Sequence, residues 1–333
     1  MLVGAIFIAL YFPLSPGILS LEADGVKVGE STFGITGYNT HFKTEDLQVW
    51  MNVDEFSFCP TSIKAMDETH ISVTAVFPSK LPSRTLNVFV NNRVDGTLVN
   101  IQQLYVKEAE VDRSLERTAC HSPITTSDHG YFSLPFRTIL YETIRNLNLH
   151  VPMWFAMIVM MMLSLVSAIL YLVKSDSSYD DMTVSAIRIG LLFALCGLAT
   201  GSVWARFTWT NWWTDDPQLN GAAISSLGYL AYFILRRAID DPEKKSRLSS
   251  VYAIFAFVMF YVFVKVIPGQ AEFSLHPNTT DNPSFRDYDV EGKLKTVFYI
   301  ASTGWIILSA WLFSLEYRLA RLIRKRDARD ETI

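Results

Sequence analysis

Apolar and polar positions along this chain are sorted into long uncharged runs and one alternating block. Met1–Leu21 holds no charged residue, and its first dozen positions are strongly apolar before Pro13, Pro16 and Gly17 stop any helix. The stretch reads as a first membrane helix, shorter than the ~20 residues a bilayer normally asks for. A cleaved signal peptide is the rival reading, although no Lys or Arg precedes the apolar run; the abrupt start also leaves an earlier start codon open. From about Glu22 to Pro135 the period changes to two. Ile71–Phe77, Leu86–Val90 and Leu98–Ile101 alternate apolar with polar, and Asn91-Asn92 and Asp95-Gly96 supply turn chemistry between them. A mostly β domain follows from this pattern. Val151–Val173 is then uncharged over 23 residues and is the clearest membrane helix. Further spans are predicted at about Thr183–Val203, Leu219–Leu235, Leu248–Val266 and Thr296–Leu315.

The predicted fold class is an all-α polytopic membrane protein of six transmembrane helices, with an inserted, mostly β extracytoplasmic domain. The expected divisions are 1–21 (first helix), 22–135 (inserted domain) and 136–333 (five-helix membrane domain with a basic tail). Composition agrees: half of the 333 residues are apolar and 19% are charged, below the usual share of a soluble domain. The net charge of −4 matters less than its segregation. Arg236-Arg237, the Glu243–Arg247 loop and the tail from Arg318 to Arg329 are basic, which places those segments and both termini in the cytoplasm. The β-rich block, the connection after the third span and the loop holding His276 then share the outer face. The polar part has no basic run, so nucleic acid is not an expected partner; membrane lipid is. Three cysteines show neither CxxC nor zinc-finger spacing. Cys59 and Cys120 either form a disulfide outside the cytoplasm or remain buried thiols. Cys196 reads as a plain buried thiol, and His41, His70, His121 and His129 as surface or turn histidines.

Candidate chemistry gathers between the third and fourth spans. Gly201–Leu219 (GSVWARFTWTNWWTDDPQL) holds four of the eight tryptophans, Trp204, Trp209, Trp212 and Trp213, with Arg206 among them and Asp215-Asp216 after them. An interfacial aromatic belt explains one or two of these; four suggest a flat apolar platform for a planar, partly anionic ligand. His150 stands just before Pro152 at the start of the second span, and His276 lies shortly after the fifth. Two neutral imidazoles can occupy both axial positions of a haem iron, and Arg206 suits a propionate. Asp215 and Asp216 carry the wrong charge for that, and helix capping beside Pro217 is their plain reading.

The tryptophan segment resembles the "WWD" signature of haem-handling proteins of cytochrome c biogenesis. More narrowly it resembles the CcmC family, on Gly201, Ser202, Trp204, Trp209, Trp212, Trp213 and Asp216. Asn146–Trp154 (NLNLHVPMW) is similar to the family's "HVP" motif, Arg236–Asp241 to the segment after its fourth helix, and His276 falls where its second histidine is expected. The resemblance covers about residues 140–320. It departs at Asp215, where the family usually has an aromatic residue, and in the roughly hundred-residue block before the HVP motif, which is expected to dock a partner, shield the haem site or act as a stability module. The resemblance implies a carrier rather than an enzyme. It would bind haem b transiently on the periplasmic face of a bacterial inner membrane, through His150 and His276 (iron ligands), Trp204, Arg206, Trp209, Trp212, Trp213 and Asp216. It would pass haem to the chaperone CcmE, alongside CcmA, CcmB and CcmD. A CcsA-like cytochrome c synthase and a b-type electron-transfer protein are the alternatives.

Overall fold

A computed structural model describes residues 2–22, 25–53, 56–112, 118–120, 125–138, 140–276 and 292–330. They form two compact units, Met1–Tyr11 with Glu142–Ile333, and Phe12–Tyr141. Helix α1 (Leu2–Tyr11) covers only ten residues. At 1.5 Å per residue it is about 15 Å long, half of a hydrocarbon core. The expected first span to Leu21 is therefore not one helix. Pro13 and Pro16 end it, and Gly17 opens a strand.

The Phe12–Tyr141 unit is built from strands β1 (Gly17–Glu22), β2 (Val26–Lys27), β3 (Gly29–Tyr38), β4 (Gln48–Val53), β5 (Phe56–Phe58), β6 (Ser62–Ala65), β7 (His70–Phe77), β8 (Lys80–Leu81), β9 (Thr85–Asn92), β10 (Gly96–Lys107), β11 (Glu110–Val111) and β12 (Thr118–Ala119). One sheet runs β1-β3-β7-β6, a second β12-β5-β4-β9-β10-β2, and β11 pairs with β8. The alternation read in the sequence is realised: Ile71, Val73 and Ala75 of β7, and Leu86, Val88 and Val90 of β9, point into one apolar core with Phe33 and Ile35. The β9–β10 turn is held by Asn92, whose Oδ1 accepts from the Val94 and Asp95 amides at 2.9 and 2.8 Å. Cys59 and Cys120 are bridged. His41, His70 and His129 each meet a carboxylate, of Asp95, Asp67 and Asp128 respectively; His121 lies outside the described residues.

In the other unit, a 3-10 turn at Tyr141–Asn146 leads into α2 (Leu147–Lys174). Then come α3 (Ser177–Thr208), α4 (Pro217–Arg237) and α5 (Pro242–Tyr261), which continues through a π-helical turn at Val262–Val266 into α6 (Ile267–Gln270). Helix α7 (Gly292–Asp330) closes the unit. Among the described residues, four stretches are long and apolar enough to cross a bilayer: Tyr141–Lys174, Ser177–Thr208, Pro242–Gln270 and Leu294–Asp327. These stand where six spans were expected. Helix α4 has the length, but Gln218, Asn220, Ser225 and Ser226 dilute its apolar character. The last helix also runs through the basic segment that reads as a tail, because no breaker interrupts it.

Asp176, Asp216 and Asp241 cap α3, α4 and α5, and the latter two are followed by proline at the first helical position. At the Asp176 end of α3, Asp180 makes a two-pronged ion pair with Arg236 of α4 at 2.7 and 2.9 Å and accepts from Ser246 of α5 at 2.9 Å. Arg324 of α7 meets Asp181 at 3.0 Å, and Arg188 meets Glu316. Polar groups thus tie four helices at one end of α3, leaving its far end for the site.

Candidate functional site

The site starts from the second turn of α2. Pro152 has no N–H to offer the Asn148 carbonyl four residues back. The indole Nε1 of Trp305, on α7, donates to that carbonyl at 3.3 Å instead. His150 lies between them, in the first turn. Its ring faces the last turns of α3, where two glycines let the helices close up. A methyl group at Gly197 would stand 2.8 Å from the Trp154 ring, and one at Gly201 would stand 2.7 Å from His150 Cε1. His150 Nδ1 lies 3.1 Å from Thr200 Oγ1. Trp204 meets the imidazole edge to face, at 5.6 Å between ring centres and 89°, and Trp154 flanks it at 6.2 Å.

The segment read as one tryptophan loop divides in two. Gly201–Thr208 continues α3, so Trp204 and Arg206 are helical, and only Trp209–Asp216 connects to α4. Trp209 is the C-terminal cap of α3. Its indole meets His276 at 5.3 Å between ring centres. The two histidines, far apart in the chain, therefore rest on tryptophans that are close neighbours at one helix end. Trp212 and Trp213 are 59% and 43% exposed. Ser202 donates to the Trp212 carbonyl at 2.7 Å, and Trp213 Nε1 to Asn220 at 3.0 Å. Arg206 is exposed and its guanidinium donates to the Thr210 carbonyl, which closes the connection at a residue with φ of 66°.

Asp216 is the hub. It is 2% exposed. Oδ1 caps α4 by accepting from the Gln218 and Leu219 amides at 2.9 and 3.2 Å. The same carboxylate accepts from Ser274 Oγ at 2.9 Å, the Leu275 amide at 2.7 Å and His276 Nδ1 at 2.9 Å. Burial works against the Asp216 charge, but the His276 side chain, then the Leu275 amide and the Ser274 hydroxyl, hold its carboxyl well below the usual carboxylate range. Asp215, by contrast, is exposed and accepts from Asn220.

The family profile described as "CcmC: Heme exporter protein C" matches residues 100–331, which include every residue of this arrangement. The chain belongs to the CcmC family. It is 29% identical to the heme exporter protein C of Rhodobacter capsulatus over 125 residues, 38% of this chain and 52% of that protein. It is 34% identical to that of Bradyrhizobium diazoefficiens over 113 residues, 34% of this chain and 43% of that protein. It is also 31% identical to a cytochrome c biogenesis protein CcsA of Prochlorococcus marinus over 88 residues, 26% of this chain and 28% of that protein. The chain spans about half the length of the CcmC relatives it matches. For a CcmC-family member, the sequence reading missed Thr200, Ser274 and Trp305. Thr200 adjoins the signature glycine, but its partner lies 50 residues earlier, a pairing no local pattern announces.

Proposed function

We propose that this protein binds haem between His150 and His276 at the Trp204–Trp209 end of α3 and hands it on in cytochrome c biogenesis. The observation that carries this reading is the seating of both imidazoles edge to face on those two tryptophans. The donor set suits haem as cargo: two imidazoles for iron, half-buried indoles for the porphyrin and the Arg206 guanidinium for a propionate. The protein acts as a carrier. Haem b is the cargo, CcmE the recipient, and CcmA, CcmB and CcmD the companion subunits. Residues 136–333 are the haem-handling membrane domain, and 22–135 the inserted periplasmic domain, a placement that suits the Cys59–Cys120 bridge. Likeness to a CcsA protein supports a second reading, a synthase that joins haem to apocytochrome.

The visible spectrum of the purified, haem-supplied protein tests the site. A bis-imidazole Soret band is expected. It should weaken in His150→Gly and His276→Gly and return with added imidazole. A protein that stays colourless sinks the ligand assignment, and thioether-linked product formed by this chain alone favours the synthase.

A further inference from the structure

We infer that Thr200 and Asp216 are positioning residues that hold both imidazoles as the Nδ1–H tautomer, leaving each Nε2 bare for a metal, and that they do so with unequal strength. The inference rests on the haem-binding reading only for the identity of that metal; the tautomers follow from counting donors. The Asp216 carboxylate faces the Gln218, Leu219 and Leu275 amides, which can only donate. Its oxygens are therefore acceptors, and the 2.9 Å contact with His276 requires the proton on Nδ1. Thr200 has a single hydroxyl hydrogen, which it gives to the Cys196 and Gly197 carbonyls at 2.9 and 3.1 Å. What remains toward His150 Nδ1, at 3.1 Å, is a lone pair, so that nitrogen too carries the proton. Both rings then present Nε2 in the form a metal accepts.

The two acceptors differ in kind. An anionic carboxylate behind His276 draws on its Nδ1–H and makes Nε2 the more basic ligand, whereas the neutral hydroxyl behind His150 does so less. Haem iron is thus gripped by His276 and let go first by His150. This gives a carrier a fixed side from which its cargo leaves.

Nitrogen-15 NMR of the histidines in the haem-free, full-length protein reads the tautomers without any variant. Nδ1–H is expected at both positions, and a predominant Nε2–H form at either overturns the inference, whether or not haem binds. Asp216→Asn places an amide among N–H donors and should populate Nε2–H at His276, lowering haem affinity about tenfold to a hundredfold. Thr200→Val should give a smaller loss that Thr200→Ser restores; an equal loss in Thr200→Ser overturns the role of the hydroxyl. Haem should leave His276→Gly at least several-fold faster than His150→Gly, and the reverse order overturns the inequality. A wild-type protein that takes up no haem refutes the haem reading while leaving the NMR result to judge the tautomers.

Discussion

A methyl group at position 201 would press on His150 Cε1 at 2.7 Å, closer than carbon atoms sit in a packed interior. Gly201→Ala is accordingly expected to push the imidazole off its seat against Trp204. Alanine favours a helix over glycine by about 1 kcal/mol, so thermal stability should hardly move while haem titration shows the affinity falling. The split between the two readouts separates a displaced ligand from a damaged fold. Another residue-scale effect belongs to the β unit. The Thr69 amide foremost, then the His70 ring, hold the exposed Asp67 carboxyl below its ordinary value. A folded-state value below the unfolded one makes this turn's contribution complete above about pH 3.9 and progressively lost as the pH falls from there through the lower folded value. Comparing the unfolding of wild type and Asp67→Asn at pH 6 and pH 3 should show a difference at the higher pH that shrinks at the lower. Residues also differed in how far the sequence betrays them. Asp216 and His276 were each legible as motif residues, but the bond between them joins distant positions and belongs to the fold alone.

At the scale of elements, the proline in α2 and the tryptophan in α7 form one device. Trp305→Phe leaves the Asn148 carbonyl without a donor and should cost about 1–3 kcal/mol. Adding Pro152→Ala restores the N–H four residues on, so the double variant should recover much of that loss. Thermal unfolding of the two single variants and the double variant in detergent measures the coupling. Some elements could be read plainly and others could not. The period-two runs became β7, β9 and β10 because a half-buried strand must alternate, and α2 was plain as an unbroken uncharged run. The extension of α3 as far as Thr208 is hidden. Dense tryptophans around Arg206 look like a connector until Gly197 and Gly201 are seen bedding that helix against α2.

For the molecule as a whole, the two units divide the chemistry. Every residue named for the proposed haem site belongs to the unit of Met1–Tyr11 and Glu142–Ile333, and the disulfide belongs to the other. Replacing Cys59 and Cys120 by serine should therefore destabilise the β unit by about 2–5 kcal/mol and leave the haem spectrum unchanged, as calorimetry and absorbance on the same sample would show. That a β-rich block interrupts a helical membrane chain was legible from the change of period. The count of spans was less plain: six were read, whereas four stretches among the described residues are long and apolar enough, since α1 is short and polar residues dilute α4. The helical unit is also discontinuous along the chain. Helix α1 lies against α7, with Leu2 at Gly304 and the Ala9 carbonyl taken by Arg145. During synthesis, then, α1 waits for its partner until α7 has left the ribosome, and assembly of this unit can be completed only once the β block and the helices between them have been made.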